Sequence, residues 1–325
     1  MSDNNPILVA DIGGTNARFA IAIADEGPAG FALHHQQTLL SKDFDSLPVA
    51  INAYCETLLV PIPQQACFAL AAQPGKTVFT FTNSPWQLDS RQVKQELGLQ
   101  NMRVVNDFEA MASGAQFVAQ QQRLYLCEGA GDVTAPQLVL GPGTGLGLGL
   151  IVPGDNGYRI ISTEGGHATF APETKEEIEI LRLMMRKETP VLFEHLLSGP
   201  GLVNIYQALC VLADKPCMSL RPEQITAAAN NATCANAKNA VQMFCDILGS
   251  FAGNAAVTTG ARGGVFLAGG ILPKMTDILL QSQFLARFCS KGPQQNYLAD
   301  VPVCLLLSEN TALIGAAHLM RDELR

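Results

Sequence analysis

Asn106 and Asp107 end a short apolar run, Met102-Arg-Val-Val105, and open a helical stretch from Phe108 to Val118. A carboxylate at the carboxyl end of a strand, where the chain turns into a helix, is where α/β folds place chemistry. Taken alone, the pair fits a helix N-cap equally well. Further along, Glu164 and His167 stand three apart with Gly165 and Gly166 between them. A carboxylate and an imidazole together can bond hydroxyl groups, hold a metal ion or stabilise a loop. Glu194, in Leu192-Phe-Glu-His-Leu196, reads on its own as part of a solvated helix face.

Two glycine-threonine turns frame these residues. The first is Asp11-Ile-Gly13-Gly14-Thr15-Asn16, directly after Ile7-Leu-Val-Ala10. The second is Gly141-Pro-Gly143-Thr144-Gly145-Leu-Gly147, directly after Leu138-Val-Leu140. An apolar pattern resumes after each, so each unit reads strand, turn, strand. Glycine lets backbone N–H groups approach an anion, and a threonine hydroxyl adds a donor for a phosphate oxygen. Two such hairpins suggest two similar lobes that grip one polyphosphate. A third glycine pair, Gly269-Gly270, follows the apolar run Val265-Phe-Leu-Ala268, and alone it reads as a tight turn.

The elements around these turns alternate between strand and helix, which gives the α/β class. A helix is expected after Ser46, with Pro48 in its first turn, and strands at 66–71, 77–82 and 102–105. Ser90 is the expected N-cap of a helix ending at Gly98. Thr174-Lys-Glu-Glu177 reads as a capping box opening a helix to Lys187. Ser198 opens another helix, to Leu212, and Pro222 a third. The stretch Ala235 to Thr259 is a long helix whose small residues predict close packing on a neighbour. Strands are expected at 263–270 and 301–307, and a closing helix over 310–319.

The chain has 325 residues, 48% of them hydrophobic, enough for a sizeable core. A net charge of −8 and a pI near 5.1 argue against a nucleic-acid partner. The nine cysteines include no C-x-x-C pair and read as buried, reduced thiols, which suits a reducing cytosol. No basic and apolar leader precedes the first strand, and no apolar run reads as a membrane span, so a soluble cytoplasmic protein is expected.

Three phosphate-binding readings fail. No G-x-x-x-x-G-K-[ST] occurs, and the alternate glycines at 141, 143, 145, 147 and 149 never satisfy G-x-G-x-x-G. The H-R-D and D-F-G signatures of protein kinases are missing. The remaining reading is an actin-like (ribonuclease H-like) two-lobe ATPase fold with a β-hairpin phosphate loop in each lobe.

The segments Asp11 to Arg18, Asn106-Asp107-Phe108, Gly143 to Gly147, Glu164 to His167, Leu197 to Leu202 and Val265 to Ile271 occur in the order seen in bacterial glucokinases. The chain resembles the type found in enteric bacteria over nearly its whole length. The resemblance implies ATP-dependent phosphorylation of D-glucose to glucose 6-phosphate, Mg²⁺ dependence, a place in glycolysis and a homodimer. It implies a small domain of residues 1–110 with 305–325, carrying the first phosphate loop and the catalytic aspartate. Residues 111–304 would form a large domain with the second phosphate loop and the sugar and adenosine contacts.

Carried onto this sequence, the pattern makes Asp107 the catalytic base, with Asn106, Glu164, His167 and Glu194 as sugar ligands. Asp11 would meet Mg²⁺ through water. Gly13, Gly14, Thr15 and Asn16 would line one phosphate loop, and Gly143, Thr144 and Gly145 the other. Gly269 and Gly270 would let the adenosine approach the backbone. Related sugar kinases of the repressor type follow their Gly-His with a cysteine-rich zinc site. Here Ala-Thr-Phe-Ala-Pro-Glu follows His167, so no structural zinc is expected. A kinase for another hexose, such as mannose or N-acetylglucosamine, remains an alternative. A sugar-sensing regulator is a weaker one, since only ten residues precede Asp11.

Overall fold

In a computed structural model describing residues 5–70, 76–80, 86–155 and 157–324, both glycine-threonine turns close antiparallel hairpins. The chain divides into two units, one of residues up to Gln122 together with Ser308 onward, the other Arg123–Leu307.

The first unit begins with β1 (Ile7–Ile12), β2 (Asn16–Ala24) and β3 (Phe31–Leu40), an antiparallel run. There follow α1 (Leu47–Leu58), β4 (Gln65–Leu70), a ribbon of β5 (Val78–Thr80) and β6 (Gln87–Asp89), α2 (Ser90–Glu96), β7 (Asn101–Asn106) and α3 (Asp107–Ala115). The sheet order is β3-β2-β1-β4-β7, with β1, β4 and β7 parallel. Strand alternation splits its core in two. Leu8, Ala10 and Ile12 pack with Leu47, Ile51 and Tyr54 of α1, while Ile7 and Val9 face the opposite layer.

The second unit holds β8 (Arg123–Cys127), β9 (Gln137–Pro142), β10 (Leu146–Gly154) and β11 (Gly157–Thr163). Helices α4 (Lys175–Met184), α5 (Gly199–Leu212), α6 (Pro222–Asn230) and α7 (Ala235–Thr259) come next, then β12 (Gly264–Leu267). Three short helices, α8 (Thr276–Gln281), α9 (Phe284–Cys289) and α10 (Gln295–Leu298), lead to β13 (Val303–Leu306). The order β11-β10-β9-β12-β13 repeats the pattern of the first sheet, with β8 added antiparallel at the edge. The chain then re-enters the first unit as α11 (Thr311–Glu323).

Helix α11 forms the second layer of the first unit with α3. The crossing is tight at two glycines: a Cβ on Gly114 would overlap the Thr311 carbonyl, and one on Gly315 the Ala110 carbonyl. Arg103 on β7 ties the layer down, donating to the Leu319 carbonyl at 2.8 Å and pairing with Glu109 at 3.0 Å and Glu323 at 3.4 Å.

Several expectations need correction. Asp89, not Ser90, caps α2, accepting from the Arg91 and Gln92 amides. Both residues are good caps, and the helix starts one residue earlier. Thr174 caps α4 as expected, but Glu177 does not complete the box. Its carboxylate accepts from the Glu173 amide and pairs with Arg287 in the core. Helix α3 ends at Ala115, three residues early. Residues 71, 81 and 82 of the expected strands lie outside the described residues. Helix α7 is, among the described residues, long and apolar enough to cross a membrane, which the sequence reading did not anticipate. Most of its apolar length is spent on the core, with Gly249 and Gly253 seating α9. Cys217 is exposed, against the expectation of buried thiols.

Candidate active site

Strand register carries two carboxylates to one edge of the first sheet. Ile12, Leu70 and Asn106 stand level at the carboxyl ends of the three parallel strands. Asp11 is one residue short of that edge, and Asp107 is the first residue of α3. The alternation of Ile7 and Val9 continues to Asp11, which puts its side chain on the face that α3 and α11 cover. Burial pushes the Asp11 carboxyl up to about 6, the negative charge of Asp107 adds to the rise, and the Arg18 guanidinium opposes it. Arg18, level with Asp11 on β2, also donates to the Glu309 carbonyl.

Asn106 does cap α3: its Oδ1 accepts from the Phe108 amide at 2.8 Å and from the Glu109 amide at 3.2 Å. Asp107 Oδ1 accepts from the Phe108 amide at 2.9 Å. The N-terminal end of α3 thus fixes both side chains. The first glycine turn lies between β1 and β2. The Gly13 amide donates to the Asn16 carbonyl at 2.9 Å, and the Ser41 amide braces the Thr15 carbonyl at 2.9 Å. Gly13, Thr15 and Asn16 are exposed there, and Gly14 is half-buried.

The second unit gathers Glu164, His167 and Glu194. Residues Gly165–His167 form a single 3₁₀ turn, and Phe193–His195 another. The two are laced together by the Phe193 amide bonding the Ala168 carbonyl at 2.9 Å and by the Thr169–Leu192 bridge. His167 therefore sits between two carboxylates, its Nδ1 3.6 Å from Glu164 and its Nε2 3.9 Å from Glu194. Glu194 is the most buried of the three, at 30% side-chain exposure against 76% for Glu164. It belongs to a turn wedged against the second hairpin, not to a solvated helix face.

Glycines make that wedge feasible. A Cβ on Gly166 would overlap the Leu146 carbonyl, and one on Gly145 the Glu194 carboxylate. Gly143, Thr144 and Gly145 form the turn, closed by the Gly143 amide on the Gly145 carbonyl at 2.7 Å. Gly269 has φ +90° and would place a Cβ 2.9 Å from the Pro142 carbonyl, while Gly270 faces open space. The Gly269-Gly270 turn thus lies beside the second glycine-threonine hairpin.

The glucokinase family profile matches residues 8–323. A glucokinase of Marinobacter nauticus is 40% identical over 313 residues, 96% of each chain. The chain belongs to the glucokinase family. The crystal structure of a glucokinase from an Antarctic psychrotroph matches with a TM-score of 0.86 at 36% identity, covering 98% of this chain and 99% of that one. A Balamuthia mandrillaris glucokinase, crystallised in complex with glucose, shares the fold with a TM-score of 0.80 at 24% identity, covering 98% and 94%. The fold of this glucokinase-family chain is accordingly the actin-like α/β ATPase fold.

Against that family background, the structure brings Asp11 and Asp107 to one edge of the first sheet, where the charge of Asp107 adds to the rise that burial imposes on the Asp11 carboxyl, and Glu164 close to His167 and Glu194. Among the described residues, no group of three or more His, Cys, Asp or Glu side chains is arranged to hold a metal ion by itself. A cavity of about 600 Å³ in the second unit, lined by Met184, His195, Asn204 and Val211 among others, contains none of the expected site residues. Two contributors were missed from sequence. Arg18 lies within the first motif, and its place opposite Asp11 follows from hairpin register. The Leu146 amide, which Glu194 accepts at 2.7 Å, has no side-chain signal.

Proposed function

We propose that the chain transfers the γ-phosphoryl group of ATP to the 6-hydroxyl of D-glucose, with Asp107 as the general base. The observation that carries this reading is Asp107 at the first position of α3, at the carboxyl edge of three parallel strands and near Asp11. Asp107 takes the proton of the attacking hydroxyl as the oxygen–phosphorus bond forms, and the ADP oxygen leaves on the opposite side. Asn106, Glu164, His167 and Glu194 bond the remaining sugar hydroxyls. The capping bonds hold Asn106 Oδ1 at the N-terminal end of α3. Mannose and N-acetylglucosamine are outcomes of a substrate panel, and glucose is the expected best acceptor.

The donor set at Asp11 fits Mg²⁺. It is a hard oxygen ligand whose negative charge is held at a cost beside a second carboxylate, and a divalent cation relieves that cost. Asp11 would hold the ion through water, and the ion would supply charge neutralisation for the phosphates. Gly13, Gly14, Thr15 and Asn16 serve one part of the polyphosphate, and Gly143, Thr144 and Gly145 another. Gly269 and Gly270 receive the adenosine. The enzyme works in the cytoplasm as a homodimer, feeding glycolysis.

Asp107→Asn tests the base. The amide keeps the shape and still accepts hydrogen bonds, but it cannot take the proton. Turnover should fall roughly 10²–10⁴-fold, the range for removal of a general base. Glucose affinity should change much less. A variant with near-normal turnover would remove Asp107 from the mechanism.

A further inference from the structure

Glu194 is tied to the second phosphate turn more closely than a sugar ligand needs to be. Its Oε2 accepts the Leu146 amide at 2.7 Å, at the first residue after Gly143-Thr144-Gly145. The same oxygen packs on Gly145, where even a methyl group would overlap it. Its other oxygen, Oε1, faces His167 Nε2 at 3.9 Å. The backbone of its own turn is pinned to the same place. Ser198 Oγ donates to the Glu194 carbonyl at 2.8 Å, and the Gly199 amide donates to the Gly143 carbonyl at 2.8 Å. From the other side, Gly166 of the Glu164–His167 turn lies on the Leu146 carbonyl. One carboxylate therefore has one oxygen on the phosphate turn and the other toward the histidine cluster.

We propose that Glu194 is a positioning residue for the second phosphate turn, holding Gly143-Thr144-Gly145 in shape for nucleotide and linking nucleotide affinity to sugar occupancy. A free turn of two glycines and a threonine samples many conformations, and a charge-assisted bond to the Leu146 amide removes most of them. A sugar hydroxyl on Oε1 holds the carboxylate still, so Oε2 keeps the Leu146 amide. Ordering contributed by one ligand then need not be contributed again by the other. The linkage rests on the sugar-site reading above. The positioning role does not.

The test is titration calorimetry of a non-hydrolysable ATP analogue with Mg²⁺ on the full chain, with and without saturating glucose, and of glucose alone. Wild type should bind the analogue several-fold more tightly with glucose present. Glu194→Ala should weaken the analogue without glucose by roughly 10- to 100-fold, the loss expected for a hydrogen bond to a charged group. Glu194→Gln, whose carbonyl still accepts the Leu146 amide, should recover most of that affinity. A general loss of folding would not distinguish the two variants in this way. Gly145→Ala, with a backbone that alanine can adopt, should weaken glucose binding, because its methyl group displaces Glu194.

Analogue binding by Glu194→Ala at wild-type affinity would overturn the positioning role, even if glucose binding were lost. If Glu194→Ala loses the analogue but binds glucose normally, the positioning role stands and Glu194 is no sugar ligand. Wild-type analogue affinity that ignores glucose would overturn the linkage.

Discussion

The two hairpin turns share a strand order but are held by opposite means. In the first unit the turn brings its own charge, Asp11, in the strand that enters it, and backbone from Ser41 braces it. The second turn has no acidic residue of its own and borrows one from 48 positions further along the chain. Crowding differs as well. The nearest atom to a Cβ on Gly13 would be the Asn16 carbonyl at 3.4 Å, an ordinary contact. A Cβ on Gly141 would overlap the Ala268 carbonyl, and one on Gly145 would overlap Glu194. Glycine in the first turn leaves room for a ligand, whereas glycine in the second is also required by the protein's own packing.

The largest effects should separate the two regions by kinetics. Asp107→Asn in the first unit should lose turnover by the margin given above with glucose affinity nearly intact. Glu164→Gln and His167→Gln in the second should do the reverse, raising KM for glucose roughly 10- to 100-fold, as unpaired polar groups cost about 1–3 kcal/mol each. Steady-state rates across glucose concentrations check both. A turnover collapse in the second-unit variants at saturating glucose would erase the division of labour.

Next in size is the pH response of the first turn. The Asp11 carboxyl is raised from 3.8 to about 6. The stability that accompanies its protonation is full below about pH 4 and is lost as pH rises through about 6, up to roughly 3 kcal/mol at 1.36 kcal/mol per unit. Asp11→Asn should remove that part of the pH dependence and be the more stable protein at pH 7.5. Urea unfolding of both proteins at pH 5 and 7.5 measures it. Equal slopes with pH would show that Asp11 is not held in this way.

Packing gives the smaller contrasts. Gly141→Ala should destabilise by about 1–3 kcal/mol, as overpacked interiors do, while Gly13→Ala should stay within about 0.5 kcal/mol. Thermal melts rank the pair, and a Gly13→Ala loss as large as that of Gly141→Ala would break the asymmetry.

Much of this organisation could be read from sequence, because local rules and tertiary needs agree there. The hairpins, the full span of α7 and the Ser198 cap of α5 are cases. Strand β3 was not anticipated: Phe31-Ala-Leu-His-His-Gln-Gln-Thr-Leu-Leu40 is polar at its centre because it lies at a sheet edge. Strands β8 and β11 are edge strands too, and neither Arg123-Leu-Tyr-Leu-Cys127 nor Gly157-Tyr-Arg-Ile-Ile-Ser-Thr163 shows the regular apolar–polar alternation that marks a strand in sequence. Glu177 had the spacing of a capping box, but Arg287, 110 positions away, offered its carboxylate a stronger partner. Asn106 and Asp107 were legible as a strand end. The lodging of Glu194 against Gly145 was not, since it depends on a turn built from another part of the chain.

The tight crossing of α3 and α11 sets an order in time. The helix that begins with Asp107 leaves the ribosome nearly two hundred residues before the helix that must lie across it at Gly114 and Gly315. During that interval the whole second unit is synthesised and free to fold, while Ile7, Val9 and Ala110 wait without their cover. One apolar face of the nascent first sheet is thus only partly covered until α11 arrives. Synthesis of α11 then seals the layer beneath the proposed base.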